Sequence, residues 1–401
     1  MQTIILIANH PNDRRESMDR YVAILESGLR QSGLSVEVIR PTQSFAWIAR
    51  RCHSLGKWLA YFDKFIRFPL ALRLKLRRKN QSLNQPVIHI CDQADAIYVH
   101  HLKGFPHLVT CHDLFAIRSA RGEFPQQTTR LTGRVYQTLI AGGLRKAANV
   151  LCVSETTRLD LARFGPKRSQ RVSVIKNPLN YPYQPVSARV SGPILNNLFN
   201  KFGINPTEQY LFHVGGNQWY KNRPGLIRIY HAMTQLGPMP RLVLAGQPLT
   251  CELSALIEEL GLTIKTSFVG KVTNEELNAL YGRAEALVFP SLMEGFGWPI
   301  IEAQAAGCPV LASDIAIFRE IGGTAVHFIN PNNVATAAET ICAFLADAAE
   351  AKQQARQGGI ANAAAFQLEG IIAEYGTLYH GLVGLKANKF TPMPQIINTT
   401  S

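Results

Sequence analysis

Short apolar strands alternate with helical stretches along most of this 401-residue chain, and this pattern restricts its fold more than any other feature. The run Thr3–Ala8 is continuously apolar, which is typical of a strand buried on both faces. A helical stretch from Glu16 to Gln31 follows it. Further strands of the first half are predicted at Ser35–Ile39, Pro86–Ile90, Pro106–Thr110, Asn149–Val153 and Arg171–Lys176. Such alternation predicts a parallel sheet with helices on both faces.

Three prolines within Asn177–Pro185 interrupt the alternation and predict a linker. The alternation then restarts, with strands predicted at Tyr210–Val214, Arg241–Ala245, Ile264–Val269, Glu285–Phe289, Pro309–Ala312 and Ala325–Ile329. We therefore expect two α/β domains, residues 1–185 and 195–367, because a chain of this length exceeds one ordinary domain. Ligands of such sheets bind outside the carboxyl ends of the strands, so the two domains should form a cleft.

The positive charge of the chain is concentrated in one segment. The chain carries 42 basic and 28 acidic residues, a formal net charge of +14. Between Arg40 and Lys79, called here the basic segment, lie eleven basic residues and one acid, Asp63. A uniformly basic nucleic-acid-binding protein is therefore disfavoured, and contact of this segment with an anionic surface becomes a hypothesis.

Apolar and aromatic residues from Leu55 to Ile66 follow helical spacing, and Pro69 is predicted to end that helix. Leucines then alternate with basic residues up to Arg77. The first interpretation is a helix that packs on its own domain with a solvated basic face. The second is a patch that contacts anionic lipid. Nucleic acid comes third, because no recognition motif accompanies the charge.

Cysteine usage and hydropathy indicate the compartment. The seven cysteines are scattered singly, without a C-x-x-C pair, which is typical of a reducing cytosol. No run of residues reaches the length of an apolar membrane-spanning helix, and the N-terminus lacks the basic region of a signal peptide. We expect a cytoplasmic protein, bound at most peripherally to the inner face of the membrane.

The segment Phe289–Ala303 carries the clearest chemical signal, a strand followed by a glycine-bearing loop and a helix. Gly295 and Gly297 let backbone N–H groups approach an anion, and the helix N-terminus adds partial positive charge, which together predict a phosphate site. Glu302 lies about one turn inside that helix, where its carboxylate is suited to accept hydrogen bonds from ribose hydroxyls, while Glu294 in the loop could face a sugar. A single glutamate here would be interpreted as a charge that stabilises the helix N-terminus. Two glutamates with glycines between them, on a strand-to-helix turn, favour a functional site.

This segment resembles the E-x7-E signature of retaining family 4 glycosyltransferases, with Glu294 and Glu302 as its glutamates. Ala306–Ser313 and Phe268–Val272 also match, and the resemblance is strongest over residues 209–331. It implies the GT-B fold, in which two facing Rossmann-like domains with parallel sheets enclose the active site. It also implies that the C-terminal helix, within residues 368–390, crosses back onto the N-terminal domain.

The resemblance further implies roles for individual residues of the C-terminal domain. Glu302 would bind the donor ribose and Glu294 the transferred sugar. The diphosphate would lie against the backbone of Gly295, Phe296, Gly297 and Trp298. Glu320 matches no signature position and is interpreted as a solvated helix charge.

A second donor element is a strand that ends in Gly215 and Gly216, followed by Lys221, whose ammonium could neutralise a diphosphate. Lysines in such places are usually surface residues, but in the family this is the phosphate lysine. The arginine that accompanies it in relatives is replaced here by Gly216 or Tyr220, so one positive charge of the expected pair is missing. Base contacts are expected from the backbone of two further residues, Lys271 and Val272.

In the N-terminal domain, His112 and Asp113 follow a buried strand and match a T-x-H-D motif of the family, whose histidine lies beside donor sugar and acceptor. Without the resemblance, His112 would be interpreted as a satisfied, partly buried histidine. Asp113 would orient His112 or cap the following turn. The remaining acceptor-side candidates, in and after the loop that follows the first strand, are Asn9, Ser17 and Met18, the last two standing where relatives carry glycines.

The resemblance implies transfer of a sugar from a nucleotide-diphosphate donor to the hydroxyl of a sugar or lipid-linked acceptor, with retention of anomeric configuration. No D-x-D triplet and no His/Cys cluster occurs in the sequence, so we expect neither a metal nor another cofactor. The alternatives are another GT-B enzyme, such as an epimerase or phosphorylase, and a catalytically weak partner subunit that binds a membrane or another transferase. A dehydrogenase is disfavoured because no G-x-G-x-x-G follows the first strand. The base, the sugar and the acceptor stay open.

Overall fold

The computed structural model describes residues 2–13, 16–42, 59, 61–79, 85–165 and 169–384. They form two six-stranded sheets, and every strand pair in both sheets is parallel. This confirms the predicted architecture of two α/β domains whose strands alternate with helices.

The N-terminal sheet has the strand order β2-β1-β3-β4-β5-β6. Its strands are β1 (Thr3–Ile7), β2 (Ser35–Ile39), β3 (Val87–Ile90), β4 (His107–Cys111), β5 (Asn149–Cys152) and β6 (Arg171–Val174). Its helices are α1 (Glu16–Gln31), α2 (Phe68–Lys79), α3 (Phe115–Ala120), α4 (Leu131–Lys146) and α5 (Glu155–Ala162). The side chains of β1 from Ile4 to Ile7 are fully buried, as the uninterrupted apolar run predicts.

The C-terminal sheet has the order β12-β11-β10-β7-β8-β9. Its strands are β7 (Tyr210–Gly215), β8 (Arg241–Gly246), β9 (Thr266–Phe268), β10 (Ala286–Phe289), β11 (Val310–Ser313) and β12 (Val326–Ile329). Its helices are α6 (Ala188–Lys201), α7 (Arg223–Leu236), α8 (Cys251–Glu259), α9 (Asn274–Arg283), α10 (Trp298–Ala305), α11 (Ala316–Gly322), α12 (Val334–Ala346) and α13 (Ala349–Ala363). The capping box expected at Thr273 is present: its side chain accepts from Glu276 N, and the Glu276 side chain accepts from its backbone N–H.

The last described helix, α14 (Leu368–Gly384), returns to the N-terminal domain. Its buried residues Ile372 and Tyr375 belong to the same apolar cluster as Ile4 of β1. It also packs closely on α1, since a Cβ placed on Gly28 would lie 2.6 Å from the Ile372 side chain. The expected crossing of the C-terminal helix is thus confirmed.

The described part of the basic segment corrects one prediction, because Pro69 does not end the helix. A π-helical turn, Asp63–Arg67, leads directly into α2, so the chain stays helical through Pro69. The wider π turn lies just before the proline, where its ring and missing N–H group would otherwise disturb an α-helix. The leucines that alternate in sequence therefore follow helical geometry. Leu72 and Leu76, four residues apart, are buried. Residues 43–58, with the first part of the predicted amphipathic helix, lie outside the described residues.

Candidate functional site

The two domains contact each other where the loop after β10 meets the end of β4. A Cβ on Gly295 would lie 2.6 Å from the carbonyl oxygen of His112 and 3.0 Å from the Asp113 Cβ. Thr157 Oγ1, also from the N-terminal domain, donates to the Gly295 carbonyl at 3.5 Å. The facing domain therefore leaves no room for a side chain at position 295. This reason for a glycine could not be inferred from the sequence.

Gly297 starts α10 with a left-handed backbone, φ 99°, a conformation that strongly favours glycine. A Cβ there would come within 2.9 Å of the Phe318 ring. The next residue, Trp298, donates its indole N–H to the Pro178 carbonyl at 2.9 Å, which ties α10 to the interdomain linker. Phe296 is buried in the core beneath the loop. The turn therefore presents the N-terminus of α10, whose partial positive charge suits an anion.

Glu302 lies one turn into α10 and is only 3% exposed. Its Oε1 accepts from Asn180 Nδ2 at 2.5 Å, and its Oε2 accepts from Tyr281 OH at 3.0 Å. Burial of the charged form raises the pKa of this carboxyl. Two carboxylate oxygens offer about four acceptor positions, so ribose hydroxyls could join these partners. Sequence reasoning did not identify these two partners of Glu302, Asn180 in the linker and Tyr281 on α9.

Lys221 and Glu294 meet in the cleft, although 73 residues separate them. Lys221 Nζ lies 2.6 Å from Glu294 Oε1, which also accepts from Ser291 Oγ at 2.9 Å. Asn222 orients this lysine, since its left-handed backbone (φ 55°) ends the short turn that carries Lys221, and its side-chain amide donates to the Pro290 carbonyl at 3.1 Å. The cation and the carboxylate expected at the donor site thus form one ion pair.

The remaining donor-side candidates lie at the ends of two strands, Gly215 and Gly216 at β7 and Lys271 and Val272 after β9. Gly215 and Gly216, at and just after the end of β7, are partly exposed, and a Cβ on Gly216 would collide with Gln218 Oε1 at 2.4 Å. Lys271 Nζ contacts Glu16 Oε1 at 2.7 Å across the two domains, although both side chains are largely exposed. This contact lowers the pKa of Glu16. Val272, next to Lys271, is half-buried against the core.

His112 is buried, and its contacts fix its ring. Its Nε2 lies 2.9 Å from the Cys91 carbonyl, which assigns the proton to Nε2, and the Tyr21 ring meets it edge-on at 4.7 Å. Asp113 Oδ1 accepts from Phe115 N at 3.1 Å. Of the two roles considered for Asp113, capping the following turn is therefore observed directly.

The acceptor-side candidates are not equally placed. Asn9 is buried, and its amide donates to Asp92 Oδ2 at 2.8 Å and Asp95 Oδ2 at 3.3 Å, within the N-terminal domain. Ser17 is exposed and Met18 is half-buried in the first turn of α1. The structure thus engages Asn9 inside the domain and leaves Ser17 at the surface.

Glu320 is not the solvated helix charge that the sequence suggested. Its Oε1 accepts from Glu155 N at 2.6 Å, and its Oε2 accepts from Thr156 N at 2.9 Å and Thr156 Oγ1 at 2.8 Å. Glu320 therefore satisfies the free amides at the N-terminus of α5 from the opposite domain. Ser154 provides the expected N-cap of the same helix by accepting from Thr157 N at 3.0 Å.

Beside the Glu294 loop, a cleft with a volume of about 160 Å³ lies between the domains. Its walls include Glu294 and, from the N-terminal domain, Asp113, Arg118, Thr156 and Asp160. The walls thus combine charged groups and hydroxyls, which suits a hydroxyl-rich ligand. In the part of the chain that the structure describes, no group of three or more His, Cys, Asp or Glu side chains is arranged to hold a metal ion.

Sequence reasoning also missed Arg223, the first residue of α7. It is only 2% exposed, and its Nη1 donates to Asn217 Oδ1 at 2.6 Å and to the Gln247 carbonyl at 2.9 Å. The signal in the sequence was a basic residue two positions after Lys221, in a site where one cation was missing.

Comparison with known proteins covers both halves of the chain. The family model described as "Glycosyltransferase Family 4" matches residues 18–181, and the one described as "Glycosyl transferases group 1" matches residues 196–361. The O-antigen chain mannosyltransferase RfbU of Salmonella typhimurium is 28% identical over 199 residues, 49% of this chain and 51% of the relative. The O-antigen chain mannosyltransferase B of Escherichia coli is 28% identical over 286 residues, 68% of this chain and 71% of the relative.

Solved structures show the same fold at lower sequence identity. Sucrose-phosphate synthase from Thermosynechococcus elongatus aligns with a TM-score of 0.72 and 20% identity, over 96% of this chain and 100% of the other. HepE from Anabaena, solved in complex with UDP and glucose, aligns with a TM-score of 0.67 and 18% identity, over 95% of this chain and 100% of the other. The chain therefore belongs to the family 4 glycosyltransferases and has the GT-B fold.

Proposed function

We propose that this glycosyltransferase moves a sugar from a nucleotide-diphosphate donor to an acceptor hydroxyl with retention of anomeric configuration. The observation that carries the proposal is the convergence, in one cleft, of the Lys221–Glu294 ion pair, the N-terminus of α10 and the buried carboxylate of Glu302. A cation and a helix N-terminus suit a diphosphate, and a buried carboxylate suits ribose hydroxyls.

The similar proteins support this choice of substrates. One solved structure of the same fold holds UDP and glucose, and two relatives are named O-antigen chain mannosyltransferases. We propose a nucleotide-sugar donor and an acceptor that is a sugar or a lipid-linked sugar in the synthesis of a polysaccharide or glycolipid.

In the proposed reaction, the acceptor hydroxyl attacks the anomeric carbon from the face that the diphosphate leaves. The bond from that carbon to the diphosphate oxygen breaks with both electrons going to the oxygen, and the departing phosphate takes the acceptor proton. The chain then positions the reactants and stabilises the leaving diphosphate through Lys221 and the amides of α10. No metal enters this proposal, so turnover should be unchanged by EDTA and not raised by Mg²⁺ or Mn²⁺.

We also propose that the enzyme works at the cytoplasmic face of a membrane. In the described part of the basic segment, six large apolar side chains are 37–59% exposed: Tyr61, Phe62, Phe65, Ile66, Leu70 and Leu74. Arg73, Arg77 and Arg78 are exposed beside them, whereas Lys75 and Lys79 pair with Glu37. Exposed apolar and basic groups together suit an anionic lipid surface. No described helix is long and apolar enough to cross a membrane.

A vesicle assay tests the membrane proposal. The protein should sediment with phosphatidylglycerol vesicles but not with phosphatidylcholine vesicles, and the triple variant R73Q/R77Q/R78Q should stay in solution. The matched control K103Q/R145Q/K146Q also removes three exposed charges from the N-terminal domain and should still sediment. Equal sedimentation of both triple variants would show that general charge, not this surface, mediates binding.

The donor proposal is tested first by a thermal-shift screen with UDP, GDP and ADP and their sugars, because a ligand that binds only the folded state raises its melting temperature. Release of the nucleoside diphosphate from the donor that binds then measures turnover. Lys221→Met and Glu302→Ala should each lower turnover by about 100-fold or more. Lys201→Met and Glu258→Ala, at exposed helical positions, are the matched controls and should keep full turnover. Nucleotide binding without turnover or transfer would favour the alternative of a catalytically weak partner subunit.

A further inference from the structure

The buried cation Arg223 has no anionic partner among the residues that the structure describes. Only Nη1 of its guanidinium is hydrogen-bonded, whereas Nε and Nη2 are buried without an acceptor. The Phe268 ring, 6.0 Å from the guanidinium carbon, provides a weak cation–π contact. Burial lowers the pKa of this side chain, but an arginine stays protonated in a protein. The site therefore holds an uncompensated positive charge.

This charge lies next to the predicted diphosphate site. Its two acceptors, Asn217 and Gln247, belong to the loops after β7 and β8, and these loops are joined by hydrogen bonds from Gln247 N to the Gly215 carbonyl at 3.2 Å and from Asn217 N to Gln247 Oε1 at 2.8 Å. The guanidinium is thus held against the pair of loops that frames the Gly215–Gly216 turn.

A second buried polar atom without a partner lies at the same turn. His213 Nδ1 is bonded to the Val288 carbonyl at 2.9 Å, but its Nε2, which would lie 3.3 Å from a Cβ on Gly215, has no hydrogen-bond partner. Buried polar groups are nearly always hydrogen-bonded, and a buried charge is normally paired. Burial lowers the pKa of His213 to about 3, so the ring is neutral, and since its Nδ1–H donates to the Val288 carbonyl, Nε2 holds a lone pair. This atom offers an acceptor and does not pair with an anion, so the uncompensated positive charge at this turn is that of Arg223 alone.

We propose that Arg223 supplies the second positive charge of the diphosphate site, and that the donor diphosphate is its counter-ion. The inference rests on the proposed function, which brings a multiply charged anion to this turn. A fixed charge in a poorly solvated position acts over a longer distance than a solvated one and needs no reorganisation when the ligand arrives. Arg223 therefore replaces, from the start of α7, the arginine that relatives carry at the positions of Gly216 or Tyr220. It is a positioning residue and does not take part in bond cleavage.

The experiment compares ligands that differ by one phosphate. Calorimetry measures the affinities of the wild type and of Arg223→Met for UDP, GDP and ADP and for the corresponding monophosphates. With the diphosphate that binds the wild type, Arg223→Met should lose about tenfold or more in affinity, while its affinity for the matching monophosphate changes by less than about threefold. Arg223→Lys keeps the positive charge, so it should still prefer the diphosphate to the matching monophosphate by nearly the same factor as the wild type. Arg228→Met, at an exposed position of the same helix, should bind both as the wild type does.

Equal losses for both ligands, or no loss for either, would overturn the proposal, because a purely structural role of Arg223 does not distinguish one phosphate from two. Folding is checked by the unliganded melting temperature, which should stay within about 5 °C of the wild type. If Arg223→Met does not fold, Arg223→Gln serves as the neutral variant, since it keeps an amide donor for Asn217. A wild-type protein that binds no nucleoside diphosphate would instead contradict the proposed function itself.

Discussion

Lys221 Nζ lies 2.6 Å from Glu294 Oε1, so the lysine predicted to bind phosphate and the glutamate predicted to bind sugar neutralise each other in the unliganded enzyme. Both side chains are largely buried, which strengthens their attraction relative to a surface pair. A diphosphate that binds Lys221 must therefore share this cation with Glu294.

The first prediction concerns this competition. Glu294→Gln should leave the affinity for the nucleoside diphosphate unchanged or tighten it, because Lys221 loses a competing anion. Turnover of the complete donor should fall by about 100-fold, since the sugar loses its carboxylate contact. Calorimetry with the diphosphate and a rate assay with its sugar separate the two effects. Parallel losses of binding and turnover would contradict the assigned roles.

The second prediction concerns domain closure. Glu320→Ala removes three hydrogen bonds between α11 and α5 and should destabilise the closed arrangement by about 1–3 kcal/mol. Small-angle scattering should then report a larger radius of gyration, and a protease should cut the linker faster. Glu339→Ala, at an exposed position of α12, is the control and should behave as the wild type. An unchanged scattering profile for Glu320→Ala would show that other contacts are sufficient for closure.

The third prediction is a pH dependence of donor binding. Burial raises the pKa of Glu302, and only its ionised form can accept hydrogen bonds from both ribose hydroxyls. Affinity for the diphosphate should therefore fall as the pH drops through this raised pKa, at a higher pH than for an ordinary glutamate of about 4.3. The 2′,3′-dideoxy analogue of the same nucleotide lacks those hydroxyls and should show a flatter profile. Identical profiles for the two ligands would place the ribose elsewhere.

The fourth prediction is acid sensitivity of the fold. Burial lowers the pKa of His89 and of His213 to about 3, so each is neutral when folded and takes up a proton near pH 6.5 when unfolded. The unfolded state therefore gains stability as the pH falls below about 6.5, by roughly 1.4 kcal/mol per histidine for one pH unit.

Melting temperatures at pH 7.5 and pH 5.5 measure this effect, with both values chosen about one unit from the unfolded histidine pKa. His89→Gln should reduce the loss on acidification, because one titrating group is removed. His380→Gln, at an exposed helical position, should lose as much as the wild type. The same loss in His89→Gln as in the wild type would exclude this residue as a source of the sensitivity.

Much of the fold was predictable because its causes are local. Continuous apolar runs such as Thr3–Ala8 are typical of strands buried on both faces, and the capping groups Ser154 and Thr273 accept from amides three positions further on. Glycines before a helix that carries Glu302 likewise indicate an anion site from sequence alone. These inferences depend on residues that are neighbours in the chain.

The predicted helix end at Pro69 was wrong because proline is compatible with more than one local structure. Proline usually ends or kinks a helix, but at Pro69 a π-helical turn precedes it, and the buried side chains of Leu72 and Leu76 keep the chain helical up to Lys79. The burial of Arg223 could not be predicted either. It depends on hydrogen bonds to the loops after β7 and β8, and the residues next to Arg223 in the sequence do not reveal it.

The sequence by itself determined the strand–helix alternation, the two sheets, the family signature and the residue types of the candidate donor site. Only the tertiary structure decided which groups meet: Glu320 reaches Thr156 across 164 positions of chain, and Asn180 reaches Glu302 across 122. The physical reason is that hydrogen bonds and charge pairs extend only a few ångströms, so contacts between distant segments exist only once the two domains have folded and closed on each other.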